Sequence, residues 1–137
     1  MANIGDKFVE HFIMSAEVHE GFISIFADRH PLHTEESYAA ARGFRSKVMH
    51  GNILNGFLSY FIGECLPDRE VMILSQEIKY QRPVYLGDRL ALEAVVVDVH
   101  ESVNVVEFSC KFRNEADGTV VASAKINVGK TTVSKEN

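Results

Sequence analysis

The sequence predicts an α+β fold: a long, broadly apolar helix wrapped by a curved antiparallel sheet of about five strands, with a helical overhang near the N-terminus. Two patterns carry this expectation. The second half alternates apolar and polar residues at the period of half-buried strands, and the middle holds a run whose apolar residues recur in adjacent pairs four apart. A helix apolar over so wide a face must be covered on most sides, and a curved sheet with one-sided apolar strands is a suitable cover.

Phe8 to Met14 is a candidate first strand. Ser15 is a candidate N-cap for a helix from Ala16 to about Ala27, which Pro31 requires to end near Asp28 or Arg29. Thr34 is a candidate cap for a second short helix, with Glu35 and Glu36 at its positive end. The long helix begins near Gly51. Its apolar positions are Ile53, Leu54, Phe57, Leu58, Phe61, Ile62, Cys65 and Leu66. Glu70 to Gln81 is a further strand candidate, and Leu86-Gly87-Asp88 marks the next turn. Leu90 to Val99, Val106 to Arg113 and Val120 to Val128 then read as an antiparallel meander. They are joined at His100-Glu101-Ser102 and by a turn ending in Asp117-Gly118.

With 137 residues, 46% of them hydrophobic and 24% charged, the chain is expected to form one domain, 1–137. A net charge of −5 without a basic run argues against nucleic-acid binding. Cys65 and Cys110 both fall in apolar stretches and read as buried free thiols. Met1 to Lys7 lacks the pattern of a leader, and Ile53 to Leu66 is too short and too polar to span a bilayer, so a cytoplasmic protein that binds no membrane is expected.

Two segments carry candidate chemistry. In Phe26-Ala27-Asp28-Arg29-His30-Pro31-Leu32-His33, Asp28 and His33 are five apart and cannot share a face of a straight helix, but a proline-bent loop can bring them together. A carboxylate beside an imidazole can hold one water and move its protons near neutral pH. An ordinary surface loop remains the other reading. In Met49-His50-Gly51-Asn52, the free N–H groups at the start of the buried helix can receive a developing oxyanion, and Gly51 permits close approach. Alternatively, Gly51 is only a turn into the helix. Asn52, Asn55 and Ser59 share one helix face, either solvated or turned toward a pocket or a second subunit. His11, His19 and His100 read as isolated and exposed. No spacing among His30, His33 and His50 resembles a zinc signature, so no metal is expected.

Together these residues resemble the MaoC-like family of (R)-specific enoyl-CoA hydratases. The resemblance rests on Phe26-Ala27-Asp28, His30-Pro31-Leu32-His33, the alanines and phenylalanine of Tyr38 to Phe44, His50-Gly51, and Arg82-Pro83-Val84 with Gly87-Asp88. It implies a hot-dog fold and reversible syn hydration of a trans-2-enoyl thioester, carried by CoA or acyl carrier protein, to an (R)-3-hydroxyacyl thioester. It also implies a homodimer or higher homo-oligomer and no cofactor. Carried over by position, Asp28 and His33 match the catalytic pair, and Gly51 matches the glycine whose N–H holds the thioester oxygen. His30, His50, Asn52, Asn55 and Arg82 are the expected substrate contacts. Lys79, Arg45 and Lys47 join Arg82 as candidates for the CoA phosphates.

The chain departs from the family pattern at three places. His30 stands where the family has asparagine, the small residue and glycine before the aspartate are absent, and Asn52-Ile53 replaces Met-Leu. The extra amides, with Phe57 and Tyr60 nearby, point to a short or polar acyl group. Two other functions compete: a hot-dog acyl-CoA thioesterase, for which Glu64 is the only helix carboxylate, and a non-catalytic acyl-thioester-binding subunit.

Overall fold

The computed structural model describes residues 2–131, so Met1 and residues 132–137 of the expected unit lie outside the described residues. Five strands, β1 (Lys7–Ile13), β2 (Val71–Tyr80), β3 (Arg89–His100), β4 (Val105–Asn114) and β5 (Val120–Lys130), form one sheet in the order β1-β3-β4-β5-β2. Every neighbouring pair is antiparallel, and β3, β4 and β5 form the expected meander. Between β1 and β2 lie α1 (Ala16–Phe26), α2 (Pro31–Thr34), α3 (Glu36–Ala41) and α4 (Asn52–Tyr60). This is the hot-dog arrangement, with α4 against the sheet and α1 to α3 as the overhang.

Alternation decides which strand faces meet the helix. Leu90, Leu92, Ala94 and Val96 of β3, Phe108, Cys110 and Phe112 of β4, and Ala122, Ala124, Ile126 and Val128 of β5 are buried with Ile53, Leu54 and Leu58 of α4. The alternation breaks twice. A bulge between Val96 and Asp98 leaves Val97 exposed and turns Val99 toward the core. Near the shift at Phe112/Arg113, Val121 is buried although strict alternation points it outward, and its carbonyl accepts the N–H groups of Gln81 and Arg82. Cys110 is a buried free thiol, pushed up to about 12 by burial; Cys65 is also free, half-buried and raised for the same first reason.

The long helix differs from expectation. It is α-helical only to Tyr60 and continues as a π-helical turn, Phe61–Cys65. Its apolar pairs recur every four residues, whereas an α-helix turns in about 3.6, so the stripe would drift by roughly 40° per pair. A wider turn brings Phe61 and Ile62 back onto the core, where both are buried. No helix among the described residues is long and apolar enough to cross a membrane.

In the overhang, Ser15 caps α1 as expected, its Oγ accepting the Val18 N–H at 3.1 Å. Thr34 does not cap a helix. It ends α2, and its hydroxyl donates to the Arg29 and His30 carbonyls. The cap of α2 is His30, whose Nδ1 accepts the Leu32 N–H at 3.1 Å, with Pro31 at the first helical position where its missing N–H does no harm. Ala27 ends α1 in the left-handed region, with φ 58°, at the place where helices favour glycine. A side chain there costs about 1 kcal/mol. Ala27→Gly should therefore raise the unfolding free energy by about 1 kcal/mol in urea titrations; an unchanged or lower midpoint would show that Ala27 carries no strain.

Candidate active site

The αL turn at Ala27 ends α1 just before Asp28, and the His30 cap with Pro31 starts the short helix that carries His33. A carboxylate oxygen of Asp28 and one ring nitrogen each from His33 and His50 all lie within 4.8 Å of one another. Asp28 is exposed, and its Oδ1 accepts the His30 N–H at 3.2 Å. The backbone of His30, not its ring, thus orients the carboxylate. The His30 ring has a local task as a helix cap and lies edge-on to Tyr38.

His33 is half-buried, and its Nδ1 lies 2.6 Å from the Val48 carbonyl oxygen. A carbonyl only accepts, so in the neutral ring Nδ1 carries the proton and Nε2 keeps a bare lone pair. Burial pushes the His33 pKa below its ordinary value; the Val48 bond opposes this, the neighbouring His50 adds to it, and Asp28 opposes it. Val48 is itself held: its N–H donates to the Leu32 carbonyl at 3.0 Å, and it bridges to Tyr85.

His50, an expected substrate contact, borders the cavity next to Gly51, but its side chain is only 2% exposed and is stacked on His33. Its Nε2 lies 2.9 Å from the Asp28 carbonyl oxygen. The reason is tertiary: Phe22 and His19 of α1 pack against the ring. His19 likewise corrects the reading of an exposed, isolated side chain, being 8% exposed. His11 and His100 are exposed as expected but not isolated, lying against Glu115 and Asp98 respectively. Asp28, His33 and His50 could each offer a ligand atom to a cation, yet the Nε2 of His50 is already committed to the carbonyl.

Gly51 stands at the start of α4 with no side-chain cap, and among the described residues neither its N–H nor that of Asn52 has a backbone partner outside the helix. The Tyr80 ring lies over it, so that a Cβ at residue 51 would sit 2.8 Å from Tyr80 Cε1. Two cavities meet at Asn52. One, of about 450 Å3, is bordered by His33, Gly51, Asn52, Tyr80 and Arg82. The other, of about 720 Å3, is bordered by Asp28, Asn52, Asn55 and the apolar Phe22, Phe26 and Phe57. Of the polar stripe, Asn52 borders both cavities. Asn55 is tied to Asn52, to the Tyr80 hydroxyl and to Gln76, while Ser59 is exposed. Phe57 is fixed by stacking on Phe12 at 4.3 Å.

Other expected residues have structural partners. Arg45 pairs with Asp88 and lies over the Tyr85 ring. Asp88 closes its turn by accepting the Tyr85 N–H, and Gly87, at φ 89°, joins that turn to Met14 at the end of β1. Glu64 pairs with Arg69 in the π-helical turn, outside both cavities.

The profile of the MaoC like domain family matches residues 8–116. The chain is 25% identical over 112 residues to an (R)-specific enoyl-CoA hydratase of Aeromonas caviae, covering 82% of this chain and 83% of that protein. It is 28% identical over 110 residues to one of Rhodospirillum rubrum, covering 76% of each. An unliganded R-hydratase from Pseudomonas aeruginosa superposes with a TM-score of 0.85 at 26% identity, over 96% of this chain and 84% of that one.

The contact at Gly51 gives a direct test. Gly51→Ala should cost about 1–3 kcal/mol of stability by overpacking against Tyr80, and most of that cost should disappear in the background Tyr80→Ala. Additive costs would show that Tyr80 does not restrict residue 51.

Proposed function

Because the chain belongs to the MaoC-like domain family, we propose that this single-domain protein, 1–137, is a hydro-lyase that reversibly hydrates a trans-2-enoyl thioester to the (R)-3-hydroxyacyl thioester. The observation that carries this reading is the Asp28–His33 pair. A carboxylate oxygen and a ring nitrogen within 4.8 Å leave a gap that one water can bridge, and the nitrogen free to face it is Nε2. In hydration, the water oxygen bonds to C3 while its proton passes to His33 Nε2. Asp28 accepts the water's other hydrogen bond and stabilises the imidazolium that forms. The electron pair of the double bond moves onto the thioester oxygen, where the Gly51 N–H meets the developing charge. The imidazolium then returns a proton to C2. Oxygen and proton arrive from one side of the substrate, so addition is syn. Dehydration is the same path reversed.

The reaction consumes only water and moves only protons, so no metal or redox cofactor is part of this reading. The acyl chain enters the cavity bordered by Phe22, Phe26 and Phe57, while the CoA or acyl-carrier arm leaves past Arg82. The amides of Asn52 and Asn55 and the fixed Phe57 ring favour a short acyl group. Glu64, engaged by Arg69, lies too far along the helix to serve a thioesterase. A panel of enoyl-CoA substrates, followed by loss of the conjugated-bond absorbance, tests the assignment. Crotonyl-CoA should be hydrated faster than enoyl chains of ten or more carbons, and Asp28→Asn and His33→Ala should each lower turnover at least about 100-fold with the fold intact. Free CoA release without hydration, or full activity in both variants, would reject it.

A homodimer through β2 is part of the same reading. This strand is a sheet edge, and Met72, Leu74 and Tyr80 on it are about half exposed, an edge that invites pairing with a second copy. Light scattering should give twice the 15.3 kDa chain mass, and Leu74→Lys should lower it toward one chain; a monomer at micromolar concentration would refute the dimer.

A further inference from the structure

One ring touches both members of the pair. The His50 ring is stacked on His33, with centroids 3.9 Å apart and planes inclined at 29°. Its Nε2 is 2.9 Å from the Asp28 carbonyl, which only accepts, so in the neutral ring the proton is on Nε2. Phe22, with its ring centroid 4.5 Å away, and His19, at 5.6 Å, close the other side. Asp28 and His33 sit on opposite sides of the Pro31 bend, and His50 comes from a separate segment just before α4.

The choice of histidine here has a cost. Nδ1 of His50 and Nδ1 of His19 are both buried with no hydrogen-bond partner among the described residues. A position that only needed filling is better served by phenylalanine, which buries no unpaired nitrogen. What phenylalanine cannot supply is the N–H to the Asp28 carbonyl.

We propose that His50 is a positioning residue that sets the spacing of Asp28 and His33, gripping the first by a hydrogen bond to its backbone and the second by ring stacking. The inference rests on the hydratase reading of that pair. With its side chain 2% exposed, His50 offers little surface to water or acyl group. It acts by holding the carboxylate and the imidazole at the separation that one water spans, and small displacements of such groups slow a reaction steeply. His19 and Phe22 form the wall that keeps the His50 ring stacked.

Three variants separate the two contacts. His50→Ala removes both, His50→Phe keeps the stack, and His50→Gln keeps a donor for the carbonyl. His50→Ala should lower kcat by up to about 100-fold with KM changed little, and the other two should each recover part of the loss. The pH profile supplies a second readout. His33 is lowered by burial first, and His50 adds to that, with Asp28 and His30 also facing the ring. Removing His50 in His50→Phe should therefore make His33 easier to protonate and move the acid limb of kcat/KM to higher pH. A rise in KM at constant kcat would instead make His50 a substrate contact and overturn the proposal. So would wild-type kcat and an unshifted acid limb in folded His50→Phe. Should the variants not fold, long-range nitrogen NMR of the wild-type rings decides: a proton on His50 Nε2 at neutral pH supports the clamp, and a proton on Nδ1 overturns it. A wild-type chain that hydrates no enoyl thioester would reject the hydratase reading instead, leaving the NMR result as the test of the geometry.

Discussion

The site depends on one hydrogen bond, from His33 Nδ1 to the carbonyl of Val48. It fixes the tautomer, so the basic nitrogen is the one left free for the pair with Asp28. The bond is only as good as the position of the carbonyl, and Val48 is held by Leu32 on one side and Tyr85 on the other. Burial then disfavours protonation of the ring. Contacts from Leu32 and Tyr85 thus hold the Val48 residue whose carbonyl leaves Nε2 of the neutral His33 ring with its bare lone pair.

The fold was legible wherever one element decides its own conformation. The Ser15 cap, the Pro31 boundary and the alternation in β4 follow from local sterics and burial of one strand face. Thr34 failed because it is the last residue of α2, where its hydroxyl bonds back to the Arg29 and His30 carbonyls, and Glu35 takes the N-cap position of α3. The π-helical turn was visible only as a repeat of four that an α-helix cannot keep facing one way. Val121 and Val99 broke the alternation because register shifts are set by pairing between strands, which one strand's pattern does not contain.

The candidate site was legible in a similar measure. Asp28, His33 and Gly51 stand out from a proline bend, a helix start and a family resemblance, and the structure brings them around two adjoining cavities. The burial of His50 and His19 could not be read from their neighbours in sequence, since it is made by α1 folding over the segment before α4. Ala27 shows the reverse: the missing glycine was visible, but only the backbone reveals that an alanine ends α1 in a left-handed turn.

Stereochemistry tests the central claim most directly. If one water is held between Asp28 and His33 on a single side of the double bond, hydration of crotonyl-CoA in deuterium oxide must place the new C2 deuterium and the C3 hydroxyl on the same face. Proton NMR coupling in the isolated 3-hydroxybutyryl product reads this outcome. The account predicts one diastereomer, that of syn addition; anti addition, or a mixture formed before any exchange of the product, would contradict it.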